Sequence, residues 1–172
     1  GADDALTSGH ADLVIGYHVP PGFLGDPIAE IEFVAVAHPD HPLHRRGEVL
    51  DLDDLRRELQ LVVRDSGAAD VDSGWLGAWH RWTVTSMETS LTTISSGIGF
   101  AWLPRHRIAD KLAAGQIKPL PLRAGQVRRG LLYMIMGKPN VGPATAQLAD
   151  IFRRLSPARH LPQREDGAGL SV

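Results

Sequence analysis

The chain has 172 residues, 43% of them hydrophobic, and its 18 basic and 20 acidic side chains leave a net charge of −2. That is enough apolar material for one ordinary domain or two small lobes with a core, which excludes disorder as the expected state, and no Lys/Arg cluster marks a nucleic-acid footprint. The absence of cysteine excludes disulfides, thiolate catalysis and cysteine-based zinc sites, and fits a reducing cytoplasm.

The N-terminal stretch GADDALTSGHADLVIG carries neither a basic n-region nor an apolar h-region, and no apolar run approaches the ~20 residues of a membrane span. The run Ala11–Tyr17 is nearly all apolar and ends at Gly16, which predicts a strand buried on both faces. Pro20, Pro21, Gly22, Gly25 and Pro27 make the next ten residues a loop. Residues 28–38 alternate at first and then become wholly apolar, predicting a strand that passes from an exposed to a buried setting, and the turn PDHPL terminates it.

Asp51 is placed to cap a short helix that shows Leu52, Leu55 and Leu59 to the core, and LQLVV follows as a second buried strand. Residues 65–74 are turn-rich, while Trp75, Trp79 and Trp82 lie at helical spacing and suit core or interface packing; RWTVTS reads as a third strand. In TSMETSLTTISSGIGFAWLP, Ser86 is a plausible N-cap, Met87, Leu91, Ile94 and Ile98 repeat along one face, and Gly97 can end the helix in a left-handed conformation. The strand IGFAWL comes next, then a helix opened by Pro104, packed through Ile108 and Leu112 and ended at Gly115. QIKPLPL is extended, RRGLLYMIMG is strand-like, and a last helix begins near Pro143 and shows Leu148, Ile151, Phe152 and Leu155 on one side. Strands alternating with helices predict an α/β fold with mostly parallel sheet, and the element order suits two lobes between which the chain crosses twice.

The segments SGHADLVIG, FVAVAHPDHPL, LDDLRRELQLVVRDSG and VTSMETSLTTISSGIGFAWLPRHRIADKLAAGQIKPLPL resemble, in order and spacing, the C-terminal effector-binding domain of LysR-type transcriptional regulators, over about Leu6 to Leu155. The resemblance implies two Rossmann-like lobes as in periplasmic binding proteins of type 2, with a small-molecule effector between them. By that analogy residues 1–38 and 123–155 form lobe I, 39–122 form lobe II, and 156–172 are a tail. It also implies a homodimer and no cofactor. The family's helix-turn-helix has no counterpart in this sequence, and the first strand and helix of lobe I are not matched either, so the expectation is an incomplete lobe I and contact with DNA only through a domain absent from this chain.

Thr85, Ser86 and Met87 occupy a strand-to-helix turn, where unpaired amides can receive an anion; the alternative is that Ser86 merely caps its helix. Arg64, Ser66 and Gly67 follow a strand end, and Arg64 could grip a carboxylate with two N–H groups or simply be a surface arginine. Tyr17 and His18 could line the wall of lobe I. His38, His41 and His44 sit three apart, but two prolines interrupt them and no carboxylate or cysteine completes a metal set, so a turn is the better account. Ser66, His80 and Asp70 supply only the letters of a hydrolytic triad, without a nucleophile elbow. The leading expectation is therefore a cytoplasmic ligand-sensing module without membrane contact; the alternatives are a stand-alone solute-binding protein and an enzyme on the same fold.

Overall fold

A computed structural model describes residues 2–63 and 77–156. Arg64, Ser66, Gly67, Asp70 and Trp75, singled out above, lie outside the described residues. Contacts divide the chain into two compact units: Gly1–Glu30 together with the segment from Leu131 onward, and Ile31–Gly130.

The first unit opens with α1 (Ala2–Thr7), followed by β1 (Leu13–Gly16). The helix has no counterpart in the sequence reading; Leu6 is its one fully buried anchor, and six residues are too few for a periodic stripe. β1 pairs antiparallel with β7 (Val127–Met136), in the register Leu13↔Met136 to Gly16↔Tyr133. It ends the strand order, and Ile15 is exposed, so the expectation of a strand buried on both faces is corrected. An apolar run by itself does not distinguish an edge from a centre. α6 (Pro143–Leu155) closes this unit. Its buried side is Ala149, flanked by half-buried Phe152, packed with Ile28 and Met134. Leu148, Ile151 and Leu155, expected to pack, are exposed instead.

The chain leaves this unit inside β2 (Gly25–Ala37) and returns to it inside β7. β2 starts earlier than the sequence suggests, at Gly25 rather than after Pro27, and a proline is tolerated in its exposed first part. The later part alternates with period two and becomes fully buried.

In the second unit, β2 pairs antiparallel with β5 (Phe100–Pro104), from Phe33↔Pro104 to Ala37↔Phe100. β5 lies parallel to β3 (Leu59–Val63), and β3 parallel to β4 (His80–Val84). The two-residue β6 (Lys118–Pro119) joins the other side of β2. Alternation splits the side chains between two cores. Val34, Val36, Ala101 and Leu103 face α4 (Met87–Ser95) and α5 (Arg105–Ala113), whose Ile94 and Ile108 complete that layer. Ala35, Ala37, Phe100 and Trp102 face the other way, onto Leu43 of α2 (Pro42–Arg45) and Leu55 of α3 (Leu52–Arg56). Asp51 caps α3 in a full capping box with Asp54, as its position predicted. Leu59 belongs to β3, not to that helix.

β4 at residues 80–84 is the strand expected of RWTVTS, so the tryptophan spacing does not continue a helix through it, and Trp79 and Trp82 are 71% and 52% exposed, which removes them from the core. Gly97 ends α4 at φ +94°, as expected, but the turn takes Ile98 off the helical face and leaves it exposed. Pro104 closes β5 and stands at the N-cap of α5, one residue before the helix it was expected to open.

Candidate functional site

In the second unit, β3 and β4 run parallel and side by side with Val63 opposite Val84, so both strands end at the same edge of the sheet. That is the carboxyl end, where open α/β sheets take their ligands. After β4 the chain passes through Thr85 and turns at Ser86, which is extended (φ −137°, ψ 150°), before α4 begins at Met87. The Ser86 hydroxyl accepts a hydrogen bond from the Thr89 backbone N–H at 3.1 Å and shares a second with the Thr89 hydroxyl at 2.9 Å. The Ser86 carbonyl accepts from Ser90 N–H. Met87 and Glu88 supply the remaining first-turn amides, which no helix satisfies internally. Together with the positive end of the helix dipole they form a place suited to an oxyanion. Thr85 is exposed and Ser86 and Met87 are half-buried, so the turn is reachable while Met87 packs against the core below it.

Ser90, one of the small hydroxyl residues of α4, is fully buried, and its Oγ has no hydrogen-bond partner among the described residues. Its place four residues after Ser86 and four before Ile94 is the signal that puts it on the inner face. The β3 neighbour Gln60 is likewise a fully buried polar side chain.

Tyr17 and His18 belong to the first unit, immediately after β1. The His18 ring lies 3.3 Å from the Asp3 carboxylate, and both are exposed; Tyr17 is about half exposed, and burial of the remainder raises its pKa above the ordinary phenol value. The structure thus brings Thr85, Ser86 and Met87 together in one turn and sets Tyr17 and His18 in the other unit. Arg64, Ser66 and Gly67 were also expected at the site and fall outside the described residues.

The histidine run forms no metal site among the described residues. His41 is buried and caps α2, its Nδ1 accepting from Leu43 N–H at 3.2 Å, while His38 Nδ1 accepts from Asp40 N–H at 3.2 Å. Burial lowers the His41 pKa, opposed by Glu58 and helped by His44 and His38. These are the contacts of a turn. His80 is an exposed residue of β4.

The sequence matches the family model for the LysR substrate binding domain over residues 2–156, nearly the whole chain. The chain belongs to this family. Its relatives among curated proteins include the uncharacterised HTH-type transcriptional regulator YeeY of Escherichia coli, 32% identical over 123 residues, covering 68% of this chain and 40% of that protein. The HTH-type transcriptional regulator CbbR of Xanthobacter flavus is 27% identical over 168 residues, 92% of this chain and 50% of that protein. The LysR-family chain therefore spans half or less of these relatives. Among solved structures, the Synechocystis CcmR regulatory domain in complex with 2-PG superposes with a TM-score of 0.71 at 15% identity, covering 91% of this chain and 79% of that one. The MetR regulatory domain of Neisseria meningitidis gives 0.68 at 20%, covering 90% and 74%. The LysR substrate-binding domain described here thus has the α/β fold of LysR regulatory domains, the periplasmic-binding-protein-like class its sequence resembles.

Proposed function

We propose that this chain is the ligand-sensing part of a LysR-type transcriptional regulator and takes a small anionic or aromatic metabolite at the turn that opens α4. The observation that carries the reading is the reachable turn Thr85–Met87, with its first-turn amides at the carboxyl end of β4. Arg64, Ser66 and Gly67, following β3, and Tyr17 and His18, following β1, are the further ligand contacts in this proposal. Lobe I is residues 1–38 with 123–155 and lobe II is 39–122. The regulator works in the cytoplasm as a homodimer, reaches DNA through a helix-turn-helix outside these residues, and senses rather than transforms its ligand. Among the described residues no helix is long and apolar enough to cross a membrane.

A metabolite switches such a protein only through unequal affinity for its two arrangements. The 2-PG complex of the CcmR domain makes 2-PG the first probe, followed by a panel of small aromatic and aliphatic carboxylates. At a concentration of about 100 times Kd a ligand stabilises the native state by roughly 2.7 kcal/mol, which a thermal-shift assay reads as a rise of several degrees. The expected result is a rise with at least one acid that is reduced in Thr85→Val and Ser86→Gly. A well-folded sample that no acid stabilises defeats the reading.

A further inference from the structure

Arg128, on β7 within the second unit, lies with its guanidinium carbon 4.0 Å over the ring of Trp102. Trp102 is almost wholly buried and cannot rotate freely, because its indole N–H donates to the Gly125 carbonyl at 2.9 Å. The segment that supplies this carbonyl is itself tied down: Gln126 Nε2 donates to Leu120 O at 2.6 Å, and the Ala35 N–H donates to Gln126 O at 2.9 Å. The cation therefore rests on a rigid aromatic platform.

The charges around it are distributed unevenly. Glu32 on β2 receives Arg105 at 3.1 Å and Arg129 at 3.2 Å. Alternation along β7 and β2 turns Arg128 away from Arg129, and Phe33 away from Glu32. One face of the sheet thus has a carboxylate shared by two arginines, while Arg128 on the other face has a ring. Among the described residues no carboxylate pairs with Arg128. Its burial penalises the charged form, lowering its pKa. Among the described residues none of the five N–H donors of Arg128 makes a hydrogen bond, so the guanidinium over the ring keeps its donors for a partner.

We infer that Arg128 and Trp102 form an oxyanion site for the carboxylate or phosphate group of a small metabolite, held by the guanidinium fork with the indole behind it. This site is separate from the turn before α4. Met87, Leu91 and Ile94 of that helix pack on the opposite face of the same sheet from Trp102. A half-buried cation without a counter-ion gains most from a partner that brings two oxygens in its plane.

The test is titration of the whole chain with sodium benzoate and, separately, inorganic phosphate at constant ionic strength. It is followed in 1H–15N spectra through the Trp102 indole N–H, which is assigned by its loss in Trp102→Phe. At least one anion is expected to shift this signal saturably, and the response identifies which group the site prefers. Arg128→Gln should abolish the shift, and Arg128→Lys, which keeps charge without the planar fork, should weaken binding by about tenfold or more. Ser86→Gly should leave the titration unchanged. The inference is overturned if neither anion gives a saturable shift, if Arg128→Gln binds like the wild type, or if Ser86→Gly removes the response. Should Arg128→Gln fail to fold, wild-type affinity in Arg128→Lys overturns it as well.

Discussion

The two compact units solve the same packing problem with different resources. The second buries both faces of its sheet: β5 is closed in on every side, with α4 and α5 over one layer and α2 and α3 over the other. Among the described residues the first has one small cluster, around Ile28, Met134 and Ala149, and its long helix α6 leaves Leu148, Ile151 and Leu155 exposed. Both were read from apolar periodicity of similar quality. The difference shows that periodicity states which side chains share a face, while the number of elements within reach decides whether that face is buried.

The sharpest way to test this contrast is truncation of one large apolar side chain in each unit. Phe100→Ala should cost roughly 3–5 kcal/mol in denaturant unfolding, because the fully buried ring leaves a cavity between tightly packed strands. Leu155→Ala should stay within about 0.5 kcal/mol of the wild type. Equal costs would mean that the α6 stripe is covered in solution.

A smaller effect separates two glycines two residues apart. A Cβ on Gly99 (φ +67°) would meet the Leu59 carbonyl and Leu61 Cδ1 at 2.6 Å, whereas one on Gly97 (φ +94°) meets nothing within 4 Å. Gly97→Ala should therefore cost only the left-handed backbone penalty, about 1–2 kcal/mol. Gly99→Ala should cost that and a further 1–3 kcal/mol of strain, as measured by thermal unfolding. Gly-x-Gly thus does two jobs here: it stops a helix and it allows close approach to β3, and only the first was readable in the sequence.

The caps come next in size. Ser86→Ala should destabilise α4 by about 0.5–2 kcal/mol, and Asp51→Ala should do the same for α3. A loss at Ser86 that is confined to stability, with ligand-induced stabilisation intact, would separate its capping role from the binding role proposed for it.

The smallest expected effect is on pH dependence. Because the folded protein lowers the His41 pKa, chiefly by burial, the unfolded chain takes up the proton first. The stability that His41 contributes is therefore complete above the unfolded value of about 6.5 and is lost as pH falls below it. Melting temperatures measured from pH 7.5 to 5 should decline, and His41→Asn, which retains a capping side chain, should flatten part of that decline. A steeper decline in the variant would show the opposite sign.

Much of the fold and part of the candidate site were legible because they depend on neighbours in sequence. Asp51 and Ser86 cap the helices that begin beside them, Gly97 stops α4 where its residue type allows, and the wholly apolar run at residues 33–37 contains the fully buried end of β2. What failed depended on distant partners. The apolar run of β1 gives no hint that it is the end strand, and the tryptophan spacing gives none that Trp79 and Trp82 are exposed.

The sequence by itself determined local matters: where helices start and stop, which residues alternate, and a motif order sufficient to point to the LysR effector-binding family. These follow from backbone sterics and from hydrogen bonds spanning a few residues. Only the tertiary structure decided which apolar faces are covered, that Glu32 is shared by Arg105 and Arg129, and that Arg128 comes to rest on Trp102. Those outcomes join residues as much as 97 positions apart, and burial and charge pairing between them act only after the strands have been brought side by side.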